Sequence, residues 1–172
     1  MNNNSGKIIN IILQCYKDRS NKKRINIIKI VYNLIFNLSF KAHVLVYYML
    51  RIKNKFFKTL IYNRLQTKYS IWLSPEAKIG DGLHMMHFIG IVIGSGVVIG
   101  NNCTIYQQVT IGKEKGKFPK IGDNVIIYSG AKILGGVTIG DNSIIGANAV
   151  VITDVPENSI AVGVPARIIY RK

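Results

Sequence analysis

Cysteine is scarce in this chain, proline is missing from its first third, and acid is almost absent there. The two cysteines, Cys15 and Cys103, lie far apart in 172 residues and match no zinc or redox spacing. They give no basis for a disulfide framework and favour a reducing, cytoplasmic setting. Proline is absent before Pro75 and Gly6 is the only earlier glycine, which permits long helices. The longest uncharged apolar stretch, Ala42 to Leu50, is too short for a membrane span of ~20 residues. The start, Met1 to Lys7, is polar and no small-residue cleavage site follows, so no secretory leader is expected.

The shortage of acid divides the chain. Residues 1–70 carry 14 Lys and Arg against one acid, Asp18, whereas residues 71–172 carry 9 against 7. We therefore expect a basic α-helical segment over 1–70 and a second, near-neutral domain over 71–172. A basic, apolar segment meets a membrane surface, a nucleic acid or acidic partner chains, or else simply solvates Lys-rich helix faces. Ile27, Ile28, Val31, Leu34, Ile35 and Leu38 recur at helical spacing as one stripe. Phe40 to Leu50 forms a second helical segment, and Phe56, Phe57, Leu60, Ile61 and Leu65 mark a third. Arg51 to Lys55 is a turn or junction between them, and the opening Ile8 to Leu13 is read as helix.

What the second half does contain is a period of six. Ile93, Ile99, Ile105 and Ile111 form one series, and Ile121, Ile127, Ile133, Ile139, Ile145 and Val151 a second. Glycine often follows the aliphatic (Gly94, Gly100, Gly112, Gly122, Gly140, Gly146), and a small or β-branched residue lies four after it in most repeats. Leu73 and Ile79 begin the pattern. Six residues do not fit a helical turn of 3.6, and a hairpin sandwich keeps no such strict period. Short strands ended by turns, stacked so that each aliphatic enters a common column, do fit. Glycine and Asn are expected to supply the turn conformations.

Two interruptions stand out. Four extra residues between Ile111 and Ile121 make a polar loop, Gly112 to Lys120, extruded from the prism. The spacing from Met85 to Ile93 is eight, and this enlarged repeat holds His87. Insertions in a solenoid map to one face, where function tends to sit.

Ser74-Pro-Glu-Ala-Lys-Ile-Gly80, Gly82-Leu-His-Met-Met-His87, Ile105-Tyr-Gln-Gln-Val-Thr-Ile-Gly112, Pro119-Lys-Ile-Gly122 and Val162-Gly-Val-Pro-Ala-Arg167 together resemble the serine O-acetyltransferase branch of the hexapeptide acyltransferases. The resemblance covers Leu73 to Lys172, and more loosely the helical lead-in. It implies a left-handed parallel β-helix that assembles as a homotrimer, or as a dimer of trimers, with acetyl-CoA in grooves between subunits. It further implies that His87 is the catalytic base, taking the acceptor hydroxyl's proton as the oxygen attacks the thioester. Ser129, Ala147, Thr153 and Arg167 would line the CoA groove, with Gly112 near the thioester. Gln107 and Gln108 either face the groove or form stacked polar ladders.

Departures from that pattern bear on the acceptor. Met86 stands where serine acetyltransferases have an acid before the histidine, Trp72 where a second acid pairs with it, and Phe118 where a further histidine grips the amino acid. Losing three polar groups suits a sugar ring better than a zwitterion. The expected acceptor is therefore a sugar hydroxyl of a surface polysaccharide or its precursor, as in the capsule and exopolysaccharide acetyltransferases that the chain also resembles. Serine, as in cysteine synthesis, is the alternative. A non-catalytic trimeric scaffold is the reading from another class. The basic helices would hold the enzyme peripherally at the cytoplasmic membrane face, and nucleic-acid binding is the weaker use for them.

His84 is read as a surface hydrogen-bonding residue and His43 as structural. No metal is expected, because only three histidines exist and His43 lies outside the repeats.

Overall fold

The computed structural model describes residues 12–13 and 26–170. Of the Ile8 to Leu13 opening, only Ile12 and Leu13 fall within that range, and both are helical. Three helices follow: α1 (Ile27–Phe36), α2 (Leu38–Arg51) and α3 (Lys55–Tyr69).

Asparagine punctuates them. The Asn26 side chain accepts from Lys29 N–H, Asn37 from Phe40 N–H, and Asn54 from Phe56 and Phe57 N–H. Each such cap is worth about 1 kcal/mol. Asn37 also closes α1, its own N–H bonding to Asn33 O, so α1 and α2 meet at a bend of 96°. The stripe expected from Ile27 to Leu38 therefore does not run along one helix. Nor does it face a core, since all of its members except Leu34 are exposed and Ile30 is the buried residue of α1. A polar residue between apolar ones looks like the solvated side of a stripe, and Asn37 is a helix stop and start instead.

From Trp72 onward the chain is a left-handed parallel β-helix. Its first face stacks β1 (Trp72–Leu73), β4 (Val92–Ile93), β7 (Thr110–Gly112), β10 (Lys132–Leu134) and β13 (Val150–Val151). The second stacks β2 (Lys78–Ile79), β5 (Val98–Ile99), β8 (Lys120–Ile121) and β11 (Thr138–Ile139). The third stacks β3 (His84–Met85), β6 (Thr104–Ile105), β9 (Ile126–Ile127), β12 (Ile144–Ile145) and β14 (Ser159–Val162), with β15 (Arg167–Tyr170) antiparallel at its end. The register is unbroken: Leu73 pairs with Ile93, Ile93 with Ile111, Ile111 with Ile133 and Ile133 with Val151. These aliphatics are all buried, as the period of six requires.

The glycine after the second-face aliphatics Ile79, Ile99 and Ile121 has a different cause from the one expected. Gly80, Gly100 and Gly122 do not take positive φ; Asn102, Asn124 and Asn142 do. Where the second face turns into the third, Asp81 N–H donates to Asn101 Oδ1 (3.0 Å), Asn101 N–H to Asp123 Oδ1 (2.6 Å) and Asp123 N–H to Asp141 Oδ1 (2.8 Å). A Cβ on Gly80 would lie 2.6 Å from Asn101 Oδ1, so glycine is needed for this ladder to close.

Helices and prism share one apolar core, in which Ala42, Val46, Met49, Leu65 and Tyr69 continue into Ile71, Leu73 and the aliphatic column. Polar contacts fasten the joint. Arg51 pairs with Asp81 at the top of the ladder, and Lys58 Nζ donates to Pro75 O at 3.0 Å. Met85 N–H, on the open edge of the first coil, donates to His43 Nε2 at 2.8 Å. His43 Nδ1 lies 2.9 Å from Ser39 O, so the ring is neutral with its proton on Nδ1. His43 is buried and caps the strand that leads to His87.

Candidate functional site

The edge where the third face turns into the first carries the enlarged coil. In the regular coils this turn uses one left-handed residue: Gln108, Gly130 or Asn148. In the enlarged coil it uses two, His87 at φ 51° and Gly90 at φ 74°. The extra length turns Phe88 inward, where it is 8% exposed and meets Tyr69 of α3 edge-on with centroids 5.9 Å apart. Gly90 N–H then donates to Ser70 O at 2.9 Å. The turn is thus pinned to the helices on one side and, through Gln108 N–H donating to Ile89 O at 2.9 Å, to the next coil on the other. His87 itself is exposed, on a backbone conformation that few side chains adopt, although histidine adopts it more readily than most. Such a residue persists only where its surroundings fix it, and active sites are common settings.

Stacked along this edge are the residues that follow each third-face strand. Met86, Tyr106 and Tyr128 form one column, with the tyrosine rings stacked at 5.0 Å and 28°. The tyrosines, which replace the usual small residues, are thereby explained as an aromatic pair one and two coils below Met86. The next column holds Gln107, Ser129 and Ala147, linked by Gly130 N–H to Gln107 O and Asn148 N–H to Ser129 O. Arg167 pairs with Val162 at the far end of the same edge. Gln108 is exposed, while Gln107 is half-buried. Its Oε1 is sealed from solvent and has no hydrogen-bond partner among the described residues. Sequence reasoning underrated it, because only burial separates an orphaned amide from a solvated one.

The other predicted residues lie elsewhere. Gly112 ends β7 opposite Leu134 of β10. Phe118 folds back from the Lys-rich loop over Gly94 and Gly96, and Lys113 Nζ sits 5.9 Å from its ring centroid. Thr153 is exposed just after β13. These three lie where the first face turns into the second. Trp72 is 55% exposed on the first face between the two edges, beside Val92 in the next coil. One chain therefore brings His87, Met86, Gln107, Ser129 and Ala147 to one edge of its first face and Gly112, Phe118 and Thr153 to the other. No single edge holds them all.

His84 is half-buried on β3, its ring edge-on to His43 at 5.8 Å. Cys103 is buried in the prism, and burial pushes its thiol up to about 11. Among the described residues, no group of three or more His, Cys, Asp or Glu is placed to hold a metal ion.

Residues 118–153 match the family model described as bacterial transferase hexapeptide (six repeats), and residues 87–107 match the hexapeptide repeat of succinyl-transferase. A serine acetyltransferase of Staphylococcus aureus is 52% identical over 103 residues, covering 58% of this chain and 48% of that protein. A solved serine acetyltransferase in complex with CoA is similar at 33% identity and TM-score 0.76, over 95% of this chain and 70% of that one. Neisseria gonorrhoeae serine acetyltransferase in complex with serine is similar at 32% identity and TM-score 0.76, over 95% and 68%. The chain spans about half the length of the curated relatives it matches. Repeat, register and these likenesses agree: the chain belongs to the hexapeptide-repeat acyltransferase family.

Proposed function

We propose that the chain is an acetyl-CoA-dependent O-acetyltransferase with His87 as its general base. The observation that carries this reading is the exposed imidazole on a pinned, left-handed corner of the enlarged coil. A neutral ring there accepts the acceptor hydroxyl's proton while the oxygen attacks the thioester carbonyl. The protonated ring then returns that proton to the departing CoA thiolate, so no acyl-enzyme is needed.

In this reading CoA runs along the prism past Ser129, Ala147, Thr153 and Arg167, with Gly112 near the thioester. A homotrimer supports such a groove, because it sets the His87 edge of one chain against the Phe118 edge of the next. Two half-sites that a single chain keeps on separate edges would then face one another.

Serine has the support of the relatives, all three of those named being serine acetyltransferases by description. It therefore moves ahead of the sugar hydroxyl that the sequence alone favoured. One observation retains the sugar as a second reading. Trp72, Met86 and the stacked Tyr106–Tyr128 pair offer apolar and aromatic surface, and no carboxylate stands at positions 72 or 86 to hold an ammonium group. Release of CoA from acetyl-CoA, measured with serine and with a panel of sugars, separates the readings. Rapid release with serine supports the first, and release with a sugar alone supports the second. Absence of release with every acceptor tested would favour the non-catalytic scaffold.

A further inference from the structure

We propose that the outward face of α1 is a docking surface for an anionic lipid membrane. Ile27, Ile28, Val31, Tyr32, Ile35 and Phe36 occupy positions i, i+1, i+4, i+5, i+8 and i+9 and so share one side of the helix. All six are exposed, Ile28 by 80% and Phe36 by 69%. The opposite side is already occupied, because Ile30 and Leu34 pack with Phe40, Tyr47, Ile12 and Leu13. Folding of the described residues therefore uses one side of α1 and leaves a larger apolar side in water. On α3, Phe56, Phe57 and Leu60 are exposed in the same way, between Lys53, Lys55 and Lys58.

Charge selects the occupant. Residues 26–70 hold eight Lys and Arg and no acid, so nothing within the described helices α1 to α3 neutralises them. Among the described residues of the helices, only Arg51 is paired with an acid of the prism, Asp81. An apolar helix side among cations is the composition of a helix lying in a membrane interface rather than across it. No described helix is long and apolar enough to cross a membrane. Nucleic acid would use the cations and gain nothing from six apolar side chains in a plane. Each Lys or Arg held near an anionic leaflet strengthens partitioning on the order of fivefold, and salt weakens that term. This inference stands on the helices and does not depend on the acyl-transfer reading.

The test is co-sedimentation of the full chain with vesicles of phosphatidylcholine alone and of phosphatidylcholine with phosphatidylglycerol, at low and high salt. Light scattering follows the assembly state in parallel. The expected result is pelleting with the anionic vesicles at low salt, little with neutral ones, and release by salt. The double variant I28D/F36D should lose most of that pelleting while keeping its circular dichroism and its assembly state. The wild-type comparison of the two lipids decides the matter even if that variant fails to fold. Two results overturn the proposal. One is equal or absent pelleting with both lipids. The other is a double variant that dissociates into smaller assemblies while still pelleting, which would assign the face to a second copy of the chain.

Discussion

The turn from third face to first is made in two ways in this molecule, and comparing them shows how a repeat can be enlarged to expose a side chain. In the regular coils the turn is short and its left-handed position is filled by Gln108, Gly130 or Asn148. Backbone bonds join each such turn to its neighbours, as from Gly130 N–H to Gln107 O and from Asn148 N–H to Ser129 O. In the coil of His87 the turn is two residues longer and leans on the helices through Phe88, Tyr69 and Ser70. Regular turns are held by the coils next to them; the enlarged turn keeps that bond on one side, Gln108 N–H donating to Ile89 O, and is held on the other by the helices. That anchorage frees His87 from stacking duty and leaves its ring exposed.

The comparison is broken most sharply by making the two kinds of turn alike. Deleting Phe88 and Ile89 restores a spacing of six and leaves Met86-His87-Gly90, which parallels Tyr128-Ser129-Gly130. The prism should still form by circular dichroism. Acetyl transfer should fall on the order of 100-fold or more, because displacing a catalytic group by about 1 Å costs that much. Unchanged transfer would show that the enlargement is incidental. Phe88→Ala keeps the length and removes the anchor. It should destabilise by about 3–5 kcal/mol, read as a lowered Tm, with the lower end favoured if the site collapses.

Smaller effects probe the regular turns. Asp123→Ala removes one rung of the ladder and should cost about 1 kcal/mol in denaturant unfolding without changing acetyl transfer. A loss of activity from that change would mean that the ladder edge and the His87 edge are coupled. Cys103 gives the smallest effect. Its thiol, pushed up to about 11 by burial, holds its proton at neutral pH, and the thiolate is the reactive form. Alkylation at Cys103 should therefore proceed only after denaturation. Mass spectrometry of the native protein after iodoacetamide treatment checks this.

The parts of the fold that were legible in the sequence are those that follow from period. Six residues per side, one aliphatic inward and an interruption at His87 are all written into the spacing, and register follows once coils stack. What spacing does not carry is context. Asn37 reads as the polar side of a stripe until its amide oxygen is seen capping α2. The side of α1 that faces water cannot be read from the stripe, since both sides of that helix are apolar. The glycines after the aliphatics suggest turn conformations, but at Gly80, Gly100 and Gly122 the cause is the neighbouring coil's Asx oxygen. His43 looks like an ordinary helical residue because its partner, Met85 N–H, is 42 positions away. The candidate residues can be named from the sequence but not placed by it, because one chain divides them between two edges of one face.

The account's central claim is that His87 is the base. Its most direct test is the single-turnover rate of acetyl transfer at saturating acetyl-CoA for wild type and His87→Ala, with CoA affinity measured alongside by calorimetry. The account predicts a loss of about 10²–10⁴-fold in rate with CoA affinity unchanged. A variant that transfers acetyl groups at the wild-type rate would contradict it.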